Sequence, residues 1–143
     1  AFFNFTVGNK IFNYTRAQLE GMSNAYNQTD AVLNRWKTNG DATNMPKATW
    51  GDPMGNSRFS NRWIESGSYL RLRALTFSYD IPFKTGFLKY ATVYATGNNL
   101  ITITDYKGFD PEFSATESIF GKGIDNTLEP QFRSVQLGFK VGL

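Results

Sequence analysis

"RSVQLGFKVGL" closes the chain as residues 133–143. From Val135 every odd position is apolar: Val135, Leu137, Phe139, Val141 and Leu143. Between them stand Ser134, Gln136, Gly138, Lys140 and Gly142. A period of two marks a strand with one apolar and one polar face. The fold turns on what covers the apolar face.

Three more runs share the pattern. Residues 1–8 set Phe3, Phe5 and Val7 against Asn4, Thr6 and Gly8. "SYLRLRALTFSYDI" (68–81) alternates with a change of phase: Leu70 and Leu72 are even, whereas Leu75, Phe77, Tyr79 and Ile81 are odd. One extra residue swaps the faces of a strand, so the slip predicts a bulge near Arg73–Ala74. Residues 89–104 set Ala91, Val93, Ala95, Gly97, Ile101 and Ile103 against Tyr90, Thr92, Tyr94, Thr96, Asn98 and Thr102. Asn99 interrupts the apolar row.

The connections between these runs decide what they build. They span 9–67, then 82–88, then 105–130: long, short, long. Compact domains use connections of about 4–6 residues. An outer-membrane barrel alternates long outer loops with tight periplasmic turns. The pattern therefore predicts an all-β chain with outer loops 9–67 and 105–130 and a periplasmic turn at 82–88. A strand of about 10 residues, tilted near 45°, spans roughly 23 Å, close to the ~25 Å apolar band of such barrels. Phe77, Tyr79, Phe83, Phe87 and Tyr90 crowd the short turn, as an interfacial aromatic girdle would. Val135, Leu137, Phe139, Val141 and Leu143 are then lipid-facing, while Tyr94, Thr96, Asn98, Gln136 and Lys140 face the lumen. A soluble β-sandwich also alternates, but it gives no reason for the loop asymmetry.

Four strands do not close a barrel; the smallest membrane barrels have about eight. The chain reads as the C-terminal end of a larger barrel, its last strand pairing with a strand that lies elsewhere in the protein. The start, "AFFNFTVGNK", has no basic region followed by an apolar run and does not read as a signal peptide.

Composition narrows the chemistry. The 143 residues fit one domain and carry only 19% charged residues, below the usual quarter. With no Cys and no His, disulfides, thiolate metal sites and Ser-His-Asp triads are out of reach. The net charge of +3 comes from scattered residues, which gives nucleic-acid binding no support. No catalytic group, cofactor or metal is expected. "GFDPE" (108–112) brings Asp110 and Glu112 close, and paired carboxylates can hydrolyse glycosides, but Pro111 between them reads better as a turn. In the first long loop, 15–22 and 30–36 read as short helices capped by Thr15 and Asp30. Sequons at Asn4, Asn13 and Asn27 are what an Asn/Thr-rich chain produces by chance. Arg35, Trp36, Trp50 and Trp63, with Tyr106, Phe109 and Phe113, are candidates for binding or for packing the loops on themselves.

"GNKIFNYTRA", "LNRWKTNGDATNMPK", "SNRWIESGSYLRLRALTFSYDIP", "VYATGNNLITITDYKGFDPEF" and "PQFRSVQLGFKVGL" resemble, in this order, the C-terminal end of SusC/RagA-type TonB-linked outer-membrane proteins of the Bacteroidetes. The resemblance covers essentially the whole chain, and "SYLRLRALTFSYDIP" and "GNNLITITDYKGFDPE" are its most specific parts. It implies a barrel of about 22 strands. It also implies an N-terminal plug, energy from TonB through parts outside this chain, a SusD-like lipoprotein as lid, and import of glycan oligomers or peptides. Arg35, Trp36, Tyr106, Phe109, Asp110, Glu112 and Phe113 would then contact cargo or lid, with the loops on the cell surface. Barrels of this kind usually end on an aromatic residue, whereas this chain ends on Leu143. A soluble β-rich carbohydrate-binding or adhesion module is the alternative reading.

Overall fold

A computed structural model describes residues 1–82, 86, 89–112 and 121–142. Its strands are β1 (Phe2–Thr6), β2 (Lys10–Asn13), β3 (Ile64–Ser66), β4 (Tyr69–Ile81), β5 (Tyr90–Thr104), β6 (Ile124–Asp125) and β7 (Ser134–Gly142). One helix, α1, spans Tyr14–Glu20, and 3-10 turns lie at Asp30–Asn34 and Asn61–Trp63. The chain divides into two compact units. The first holds residues 1–9, 67–105 and 130–143; the second holds 10–66 and 106–129.

The first unit is one antiparallel sheet in the order β1-β4-β5-β7. Residues directly opposite in an antiparallel pair share a face. Tyr79 stands opposite Val93, which stands opposite Phe139; Phe77, Ala95 and Leu137 form the next such row, and Leu75, Gly97 and Val135 the next. The interleaved rows are Asp80–Thr92–Lys140, Ser78–Tyr94–Gly138 and Thr76–Thr96–Gln136. Polar rows are tied across the strands: the Thr92 hydroxyl donates to Asp80 at 2.6 Å, Thr76 and Thr96 share a bond of 3.0 Å, and Asn98 donates to Ser134 at 3.1 Å. The alternation of the sequence has become two chemically distinct faces.

The change of phase is a register shift between Leu72 and Ala74. Leu72 pairs with Ile101 but Ala74 with Asn98, so Arg73 faces two residues, Asn99 and Leu100. Asn99 takes a left-handed φ of 51°, which Asn tolerates better than most residues, and its amide donates to the Phe132 carbonyl at 3.0 Å. Against β1 the shift falls between Phe2 and Phe3. Beyond it Leu72 meets Phe3 and Ile101, and Leu70 meets Phe5 and Ile103. The slip thus carries the apolar row of β4 from odd to even positions. The interleaved Tyr69 and Arg71 are buried. β1 ends at Thr6, so Val7 lies beyond the strand, and Gly8 follows it with φ 85°.

The second unit was not foreseen as a sheet. β2 pairs antiparallel with β3 and parallel with β6. Strands of 4, 3 and 2 residues are too short for alternation to show. Ile11 and Trp63 are buried in this unit, and Met22, Val32 and Met45 pack into a small cluster of their own. The cap of α1 is Asn13 rather than Thr15: the Asn13 side chain accepts from the Arg16 amide at 2.8 Å. Thr15 instead accepts from the Thr127 amide at 2.7 Å, holding the second loop to the helix start. The helix stops at Glu20, before Gly21 and Met22, whose φ is 52°. The 30–36 segment is a 3-10 turn over Asp30–Asn34; it starts after Thr29, and the Asp30 side chain does not cap it.

Candidate functional site

Two surfaces carry the chemistry. The first is the apolar face of the four-stranded sheet. Leu137 is 81% exposed and Phe139 78%, with Val135, Val141, Phe77, Tyr79, Ile101, Ile103 and Phe5 also exposed. Leu143 lies outside the described residues. Side chains of this size each gain about 1.5–3 kcal/mol on leaving water, so a bare row of them calls for an apolar solvent or partner.

The second surface belongs to the loop unit, where charge rather than grease does most of the fastening. Arg16 binds both oxygens of Glu20 at 3.0 Å and Glu65 at 2.7 Å. Glu65 also accepts the Lys107 amide at 2.9 Å, which ties the two long loops together. Burial penalises the Arg16 charge, but its hydrogen bonds to Glu20 and Glu65 and their negative charges more than offset it, so its pKa ends above the ordinary arginine value. Two guanidiniums pack on the fully buried Trp63 ring, Arg62 at 4.6 Å and Arg16 at 5.5 Å from its centroid. Its Nε1 donates to the Arg58 carbonyl at 3.2 Å. Trp63 is therefore core, not a surface for binding. Arg16 and Glu20 had a sequence signal, the i, i+4 spacing on a helix; Glu65 had none, because its partner lies across the unit.

The predicted contact residues separate into three groups. Tyr106 and Asp110 are buried. The Tyr106 hydroxyl donates to Asp125 at 2.5 Å, and burial, then this carboxylate, push its pKa well up. Asp110 accepts the Glu112 amide at 2.9 Å across Pro111, which is the turn the sequence suggested. In this structure these residues shape the loop. Arg35 and Trp36 are half-buried: Arg35 donates to the Val32 carbonyl at 3.3 Å, the Trp36 amide to the Met45 carbonyl at 3.0 Å, and Lys47 sits 5.8 Å from the Trp36 ring centre. Phe109 is 68% exposed and borders a hollow of about 270 Å³ that Arg16, Leu19, Glu20 and Lys107 also line. Phe113 lies outside the described residues. Among the described residues no three acidic groups gather to hold a metal.

A scan against protein-family models finds no match. Among curated proteins the chain is 34% identical to TonB-dependent receptor P3 of Formosa agariphila, over 98% of its own length and 14% of the receptor's. It is 30% identical to TonB-dependent receptor P26 of the same organism, over 98% of its length and 15% of that receptor's. Among solved structures it matches the RagAB peptide importer in its closed-closed state with a TM-score of 0.80 and 28% identity, covering 97% of this chain and 15% of that one. The open-open state gives 0.79 and 26%, covering 99% and 15%. This chain is a barrel segment of a SusC/RagA-type TonB-dependent receptor. The SusC/RagA-type segment spans only about a seventh of the curated relatives it matches, in keeping with its open sheet. The curated relatives are TonB-dependent receptors, and RagAB is a peptide importer.

Proposed function

We propose that the segment forms the C-terminal end of the barrel of an outer-membrane importer of peptides or glycan oligomers, working with a SusD-like surface lipoprotein. The observation that carries the barrel reading is the bare apolar face, continued through the register shift by Leu70 and Leu72. Importer function rests on the likeness to RagAB, which is itself a peptide importer. Loops 9–67 and 105–130 lie outside the cell, and the connection from β4 to β5, most of whose predicted turn at 82–88 lies outside the described residues, is on the periplasmic side. Strand length supports that sidedness: β4 has 13 residues and β5 has 15, whereas about 9–11 cross the bilayer. The surplus sits at and beyond the register shift, on the side of loops 9–67 and 105–130. Among the described residues, Arg35, Trp36, Phe109 and Glu112 are the contact residues with surface left to offer to cargo or lid.

Topology is tested on whole cells with an impermeant maleimide, in a full-length receptor otherwise free of Cys. Asn39→Cys is expected to label and Lys89→Cys is not. Labelling at position 89 with none at 39 would reverse the sidedness.

A further inference from the structure

On the polar face of β7, glycine recurs at 138 and 142, and each is covered by a tyrosine of β5. Tyr94 stands opposite Gly138 and Tyr90 opposite Gly142. A Cβ built on Gly138 would clash with Cζ and the hydroxyl of Tyr94, and one on Gly142 with Cε1 and Cζ of Tyr90. Both rings therefore reach over the neighbouring strand, into space that only glycine leaves. Aromatic cover of strand glycines pins register in β-sheets.

These pairs supply information that alternation lacks. A one-residue slip between β5 and β7 turns the apolar face around and is excluded by its cost in lipid. A two-residue slip keeps every side chain on its proper face, so the apolar pattern does not oppose it. It does break the tyrosine–glycine matches. Moved one way, Tyr94 meets Gln136 and Tyr90 meets Lys140; moved the other way, Tyr94 meets Lys140 and Tyr90 passes the described end of the strand. Neither Gln nor Lys leaves room for a ring laid against the backbone. We propose that the Tyr90–Gly142 and Tyr94–Gly138 pairs select the register of the last strand pair and so set how the barrel's final hairpin-distant strand docks during assembly. This inference rests on the barrel reading but not on the identity of the cargo.

The experiment uses full-length receptor with no other Cys, assembled in outer membranes. Thr96 and Gln136 stand directly opposite in the native register, close enough for a disulfide; a two-residue slip brings Thr96 opposite Ser134 or Gly138 instead. In the parent, Thr96→Cys/Gln136→Cys is expected to cross-link and Thr96→Cys/Ser134→Cys is not. Adding Tyr90→Ala and Tyr94→Ala is expected to lower the first cross-link at least twofold and raise the second. A receptor that keeps only the native cross-link without both tyrosines overturns the proposal. As an independent arm, Gly138→Val is expected to reduce folded, heat-modifiable receptor several-fold, and Tyr94→Ala to restore part of it. If Gly138→Val assembles normally, or if Tyr94→Ala restores nothing, the ring does not set the glycine requirement and the proposal fails.

Discussion

Arg16 joins one helix, one short strand and the start of the second loop through two carboxylates, so its partners act as a unit. Glu65→Gln keeps the shape but removes a charge from a largely buried pair. Charge-assisted bonds of this kind contribute about 1.5–3 kcal/mol. The variant is expected to leave the heat-modifiable barrel intact while the loop segments 10–66 and 106–129 become cut faster by protease in limited digestion. Unchanged digestion would mean the network adds nothing to the loop unit. Tyr106 gives a prediction with a sign. Its folded pKa is raised, so the stabilisation from the neutral phenol is present below the ordinary value near pH 10 and is lost only as pH rises through the higher folded value. Comparing phenolate absorbance of the parent and Tyr106→Phe up to about pH 11, beyond the ordinary value, is expected to show no difference. Loss of one early-titrating phenol in the variant would contradict the buried bond to Asp125. At this scale the sequence was uneven. The turn at Asp110–Glu112 was legible because Asp and Pro act on their own neighbours. Trp63 was not, because a tryptophan in a polar loop looks the same whether it faces a partner or two arginines of its own unit.

For strands, legibility followed length. β4, β5 and β7 were readable because long alternation can be satisfied by one local geometry only, and the bulge was readable because it disturbs that alternation. β2, β3 and β6 were hidden because their pairing is set by contacts far apart in sequence: Phe12 meets Ile64 on one side and Ile124 on the other. The helix cap was missed by two residues because Asn13 also ends β2, so one residue closes a strand and opens a helix. The phase of β7 is open to direct test. Leu137→Arg and Phe139→Arg put a charge into the apolar row at about 2–4 kcal/mol each, whereas Gln136→Arg adds one to a row that is already polar. Heat-modifiable migration of the full-length variants is expected to be lost at 137 and 139 and kept at 136. Equal behaviour at 136 and 137 would refute the assigned faces.

One unit of the molecule is an apolar-faced sheet, and the other is a set of loops and short strands fastened by charge. The second loop is more than a connector, since Ile124–Asp125 pairs with β2 and Asp125 holds Tyr106. Surface substitutions are therefore a cleaner probe of partner contact than shortening. Phe109→Ser with Trp36→Ala is expected to leave barrel assembly unchanged and to weaken co-purification of the lid lipoprotein or growth on the imported nutrient. If both stay at the parent level, these loop residues contact neither lid nor cargo. The central claim is narrower: the odd positions of the last strand meet lipid. Spin labels on Phe139→Cys and Lys140→Cys test it in full-length receptor reconstituted into liposomes. Dissolved oxygen, which concentrates in the bilayer, is predicted to relax the label at 139 more, and a water-soluble nickel chelate the label at 140. Equal accessibilities, or the reverse order, would contradict the barrel reading.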